Sequence, residues 1–312
     1  MTGSELIELF GKGGKRCHLI GSAENGVIAG LDLEGRLFAV MHGTVVNKVN
    51  PAAVLGVTTR SAYLNPGGDG LWPAPEGTCF GYEYSTGPWR VPPGLSGARF
   101  RLKEESRNHA MIEAEVDLIN ASGVGVPTIF RRNVTVATRE SALVVKVIES
   151  IEYIGSKTLS RQSGLLAPWT LCQFDSEAGC EVVFPNTHPA AVWDLYDSSS
   201  DRRYTKDGLW HTPTDGGLKY QIGLDRTVEW IEFRHPGRQL IVRRTAATLP
   251  LGQAYIDIVD APPDKTPSDK GARFSVYNDP SCFMEIEAVG GSPVNLEPGA
   301  VMSVEVTTAY SC

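Results

Sequence analysis

Apolar and polar residues alternate with period two along most of this chain, the pattern of strands that bury one face and expose the other. In NGVIAGLDLEGRLFAVMHG (25–43) two such runs flank LEG, which predicts a hairpin. Further strands are expected in ARFRLKEES, AMIEAEVDLINAS, TIFRRNVTVAT, ALVVKVIESIEYIG, CEVVFP, LKYQIGLD, VEWIEFRHPG, QLIVRRTAA, AYIDIVDA, ARFSVYND, CFMEIEAVG and VMSVEVTTAY. Helical spacing is confined to two short windows, SELIELFGK and PAAVLGV. More than a dozen strands with short connections and no alternating helices predict an all-β, antiparallel protein, a sandwich or barrel, whose strands stack in two layers. With no linker-like shift in composition, residues 1–312 are expected to form one domain, and 198–208 and 261–271 read as polar loops.

Composition narrows the function. At 42% hydrophobic and 21% charged residues, with a net charge of -7, the chain can build a core and has no basic face for nucleic acid. It has no apolar run long enough to span a bilayer and no signal-like start, so a membrane is not expected and a cytoplasmic location is. The six cysteines are scattered, without a CxxC pair or zinc-like spacing, and are expected to be reduced. Neither a metal nor another cofactor is called for. GxSxG, HExxH, phosphate-loop and dinucleotide fingerprints do not occur in a usable context.

Three groups of residues could carry chemistry. NPGGDGLWPAPEG (65–77) crowds Asp69, Trp72 and Glu76 among glycines and prolines, and DGLWHTPTDG (207–216) partly echoes it. Both read as rigid turns, the second bringing His211 beside Trp210 and Asp215. Aromatic faces edged by carboxylates suit the flat apolar faces and hydroxyl rims of sugars, so the expected partner is a small-molecule carbohydrate or glycan. Finally, Glu285 and Glu287 lie two apart in CFMEIEAVG, on one face of a strand, with Met284, Ile286 and Ala288 on the other. That places the two carboxyls toward solvent or a cleft, where a shared buried face would raise the pKa of at least one.

Together these segments resemble the galactose mutarotase-like (aldose 1-epimerase-like) superfamily. GGDGLWPAPEG is similar to its GG…WP…G segment, IFRRNVTV to its FxR-x-V strand, and the ExE…LxPG ending to its closing segment. The likeness is strongest to uncharacterised bacterial members with GG…LWPAP-type segments. It implies an antiparallel β supersandwich and proton transfer at a sugar anomeric carbon, with Glu285 as base. The family's histidine-bearing segment is replaced here by LLAPWTLCQF (165–174), so His211, or else His235, would have to supply the acid. Arg60, Asp69, Trp72, Glu76, Trp169, His235 and Glu287 are the expected binding groups, with Trp169 as a platform where the family has its histidine. Two alternatives share the scaffold: a glycan-directed lyase or hydrolase using Glu76 and Glu285 across a cleft, and a sugar-binding or regulatory protein without turnover.

Overall fold

A computed structural model describes residues 1–59, 61–82 and 90–312. Two ten-stranded antiparallel sheets dominate it. The front sheet runs in the order Cys17–Gly21, Asn25–Gly30, Arg36–Met41, Asp69–Ala74, Ala167–Asp175, Phe283–Val289, Phe274–Asp279, Tyr220–Leu224, Val192–Asp194, with Thr44–Val45 beside Arg36–Met41. The back sheet runs Tyr204–Lys206, Leu209–Pro213, Glu181–Pro185, Trp230–His235, Leu240–Ala246, Val301–Ser311, Ala142–Tyr153, Gly125–Arg139, His109–Ile119, Arg101–Ser106. Among the described residues no helix is long and apolar enough to cross a membrane.

Long back-sheet strands follow the alternation closely. Along Val301–Ser311 every second residue is buried, as it is through most of Gly125–Arg139 and Ala142–Tyr153. Their inward residues meet those of the front sheet in one apolar core, in which Phe174 of the front sheet stacks on Phe233 of the back at 5.1 Å. Both predicted helices form, as Gly3–Lys12 and Pro51–Leu55. The first starts at a capping box, Thr2 and Glu5 each accepting the other's backbone N–H, and lays Leu6 and Phe10 over Phe38 on the outer face of the front sheet.

Several expectations fail. Asp69–Ala74, read as a turn, is an interior strand of the front sheet, and all six of its residues are buried. Its prolines are tolerated by placement: Pro73 faces Pro168 across the pair, beyond the single point at which the strand meets Arg36–Met41. In AYIDIVDA only the first residue pairs as a strand, at the end of Gln253–Ala254; its apolar residues Ile256 and Ile258 bury into the core from a loop instead. The echo segment, also read as a turn, supplies Leu209–Pro213 to the back sheet, and the expected polar loop 198–208 supplies its edge strand, Tyr204–Lys206.

A buried ionic cluster ties the sheets together. Asp69 of the front sheet meets Arg132 and Arg244 of the back sheet, each at 3.1 Å, and accepts a hydrogen bond from Thr170 at 2.8 Å. Arg132 also binds Glu149 at 2.5 Å and donates to the carbonyls of Gly35 and Asp69, and Arg244 donates to Thr170 and to the Ile286 carbonyl. Burial alone would raise the Asp69 pKa, but the two guanidiniums outweigh it and hold the carboxyl below its usual range. A depressed carboxyl pKa stabilises the fold above the unfolded value and loses that contribution as pH falls through the folded one. Asp69→Asn is therefore expected to cost about 3–5 kcal/mol in urea unfolding at neutral pH, because Arg244 loses the carboxylate it is paired with and Arg132 is left with Glu149. The gap between variant and wild type should narrow as pH falls below about 4, where the unfolded chain's carboxyl takes up a proton while the folded one still resists it, and should close as pH falls through the lower folded value.

Candidate functional site

Pairing register decides which side chains share the outer face of the front sheet. Asp69, Thr170, Met284 and Ile286 turn inward, so Gly70, Trp72, Trp169, Leu171, Gln173, Glu285 and Glu287 turn outward. Trp72 is directly opposite Trp169, Leu171 opposite Glu287, and Gln173 opposite Glu285; across the next pairing Ser275 faces Glu287 and Tyr277 faces Glu285. Of these, Trp72, Trp169, Leu171, Tyr277, Glu285 and Glu287 floor a cavity of about 600 Å³, a volume suited to a small ligand. Its walls and rim add Asn65, Glu76, Tyr196, Lys219, Gln221, Asp260, Asp279 and Phe283.

Both glutamates are buried, Glu287 fully and Glu285 with 6% exposure. Their surroundings differ. Glu287 accepts hydrogen bonds from Trp169 Nε1 at 3.0 Å and from Gln221 Nε2, which also reaches Ser275, while Glu285 accepts one from Gln173 Nε2 at 2.5 Å. Burial, reinforced by the neighbouring Glu287 charge and a hydrogen bond to it, pushes the Glu285 pKa well above the ordinary carboxylate range. Burial also raises Glu287, but donors from Ser275, Glu285, Trp169 and Gln221 oppose the rise. Both carboxyls are shifted upward, Glu285 the further, so Glu285 is the member of the pair favoured to keep its proton and Glu287 the member favoured to ionise.

Trp72 and Trp169 meet edge to face at 5.9 Å, and the Arg36 guanidinium lies 5.4 Å from the Trp72 ring. Arg36 is fully buried and bound to Glu34 at 2.8 Å, to Tyr63 at 3.1 Å and to the Gly67 carbonyl. It fits because position 70 has no side chain: a Cβ there would come within 2.6–3.0 Å of the guanidinium.

Of the residues singled out from sequence, the cavity gathers Trp72, Glu76, Trp169, Glu285 and Glu287. Asp69 sits on the same strands but points away, into the ionic cluster, so its role is structural. His211 is in the back sheet, 2.9 Å from Glu181 and stacked on Tyr204, and His235 is in the back sheet near Glu177, its Nδ1 accepting from the Arg238 backbone. Neither borders the cavity, and nor do the other four histidines, all among the described residues. Expectations for His211 as acid and His235 as a binding group are corrected accordingly. Arg60 lies outside the described residues.

Sequence reasoning overlooked Gln173, Gln221, Tyr277, Lys219, Asp260 and Asp279. A signal existed for three of them: Gln173 and Gln221 are amides in the middle of apolar strands, and FSVYND puts Ser275 and Tyr277 on one face at the spacing of the ExE pair.

No protein-family model matches the chain, and no curated protein matches its sequence. Solved structures match its fold along nearly its whole length. They include a galactose mutarotase-like protein from Lactobacillus casei (TM-score 0.56, 10% identity, 95% of this chain and 100% of that one). A galactose mutarotase related enzyme from Lactobacillus acidophilus is similar at TM-score 0.54 and 11% identity, over 95% and 98% of the two chains. A galactose mutarotase-like protein from Clostridium acetobutylicum gives 0.53 and 8%, over 95% of each. The fold is thus galactose mutarotase-like.

Gly70→Ala is expected to dislodge Arg36, lower stability by about 1–3 kcal/mol and change tryptophan emission as the cation leaves Trp72. Gly11→Ala, in a helix where a Cβ meets nothing within 4 Å, should leave the urea midpoint unchanged or raise it.

Proposed function

We propose that the cavity binds a single carbohydrate ring and that the Glu285–Glu287 pair moves protons at its anomeric carbon. The observation that carries this reading is the pair itself: two buried carboxyls side by side on the floor, one favoured as acid and one as base, beside two tryptophans. The names of the solved neighbours, relatives of galactose mutarotase, support a sugar as the ligand.

In a cyclic sugar the anomeric hydroxyl and the ring oxygen are bonded to the same carbon, so adjacent carboxyls can serve both. Glu287 takes the hydroxyl proton while the bond from the anomeric carbon to the ring oxygen breaks, leaving a carbonyl. Glu285 gives its proton to the released ring oxygen. Rotation about the next carbon–carbon bond and the reverse transfers close the ring in the other configuration. One proton is taken and one given in each direction, so the step closes without a co-reactant. The hydrogen bonds to Glu287 support the base role for it and the acid role for Glu285, which reverses the assignment implied by family resemblance.

A second reading, sugar binding without turnover, is favoured by the lack of any histidine at the cavity. Anomer interconversion followed by NMR over a panel of free sugars separates the two. Under the catalytic reading the wild type accelerates at least one sugar, and Glu285→Gln or Glu287→Gln lowers that rate by about 10²–10⁴-fold. No acceleration of any sugar, together with saturable binding, would move the function to recognition alone. The rate should also fall as pH rises through the elevated Glu285 pKa, because the acid is then lost, and fall again on acidification as Glu287 protonates.

A further inference from the structure

The described lining of the cavity is short of positive charge. Glu76, Asp260, Asp279, Glu285 and Glu287 in it are acidic, and Lys219 is its one lysine or arginine. The described cations close to the floor are already committed, including Arg90, buried beside Trp72, Glu76 and Trp169. Arg36 is bound to Glu34, and Arg132 and Arg244 lie behind the sheet on Asp69 and Glu149. Lys48, which stands over Phe283, is paired with Asp175. Asp279 is held below the ordinary range, since hydrogen bonds from Ser281 and Tyr277 outweigh its burial, and it stays charged.

A second feature points the same way. The acidic groups share the cavity with Trp72, Trp169, Tyr196, Tyr277 and Phe283. Aromatic faces and carboxylates together are the surroundings that stabilise an ammonium withdrawn from water. A phosphate would meet the opposite: several carboxylates, with Lys219 as the one lysine or arginine of the described lining to offset them.

We propose that the ligand of this cavity is an ammonium-bearing sugar, its nitrogen seated against the Glu285–Glu287 pair, and that phosphorylated sugars are turned away. This rests on the reading of the cavity as a sugar site and adds the charge class of the sugar. It also carries a signature. An ammonium beside the ionised Glu287 leaves on Glu285 the proton that the transfer needs, and its attraction to the carboxylate is screened by salt; a neutral sugar of the same shape shows no such dependence.

Calorimetry at about pH 6, where a sugar amine is charged, tests this with glucosamine, N-acetylglucosamine, glucose and glucose 6-phosphate. Glucosamine should bind at least about tenfold more tightly than N-acetylglucosamine, with the preference shrinking as salt is raised. Glu287→Gln should remove the preference, and the salt dependence of the wild type keeps the test decisive if that variant folds poorly. Binding of glucose or N-acetylglucosamine as tight as that of glucosamine overturns the proposal and leaves the sugar site standing. Tighter binding of glucose 6-phosphate does the same. No binding of any of the four sugars overturns the sugar site and, with it, this inference.

Discussion

Asp69 is the point on which the two sheets and the cavity all depend. It is an ionised carboxyl deep between the sheets, and the cost of placing it there is offset only if both Arg132 and Arg244 reach it from the back sheet. That requirement sets the register of the strand. With Asp69 turned inward, period-two geometry turns Gly70 and Trp72 outward, and a slip of one residue would bury the tryptophan face and expose the charge. Thr170 repeats the constraint on the neighbouring strand, since it bonds both Asp69 and Arg244 and so sends Trp169 and Leu171 to the cavity side. Arg244 extends it to the third strand by donating to the Ile286 carbonyl, between the two glutamates. The floor is thus aligned from behind, by charges that never touch the cavity.

How much of this was legible in the sequence depended on solvent. Strands such as Val301–Ser311 and Ala142–Tyr153 face water on one side and announce themselves by alternation. Asp69–Ala74 is buried on both faces, as is nearly all of Ala167–Asp175, so the alternation that marks a strand is absent there. Glycine and proline in GGDGLWPAP then suggested a turn. In the structure those residues answer local demands: Gly70 admits the Arg36 guanidinium, and Pro73 sits where no outer strand needs its N–H. AYIDIVDA failed the opposite way, because a loop that buries Ile256 and Ile258 alternates like a strand.

The site was legible where it lay on one strand. Glu285 and Glu287 announced a shared face by spacing alone, and Trp72, Glu76 and Trp169 were singled out by composition and family resemblance. Groups that meet only through cross-strand pairing, such as Gln221 with Glu287 or Gln173 with Glu285, are separated by 66 and 112 residues, and local pattern cannot join them. The histidines misled for a related reason. His211 follows a tryptophan and a DG turn just as the cavity strand does, yet Leu209–Pro213 pairs into the other sheet.

The division between floor and rim has a consequence for engineering. Floor residues are strand side chains held in register by the core, whereas Tyr196, Lys219 and Asp260 come from segments between strands. Exchanging those connecting segments for others of similar length would leave the carboxyl pair, its amide donors and the tryptophans in place. The scaffold therefore lends itself to grafting, with the chemistry kept in the sheet and the choice of ligand rewritten at its edge.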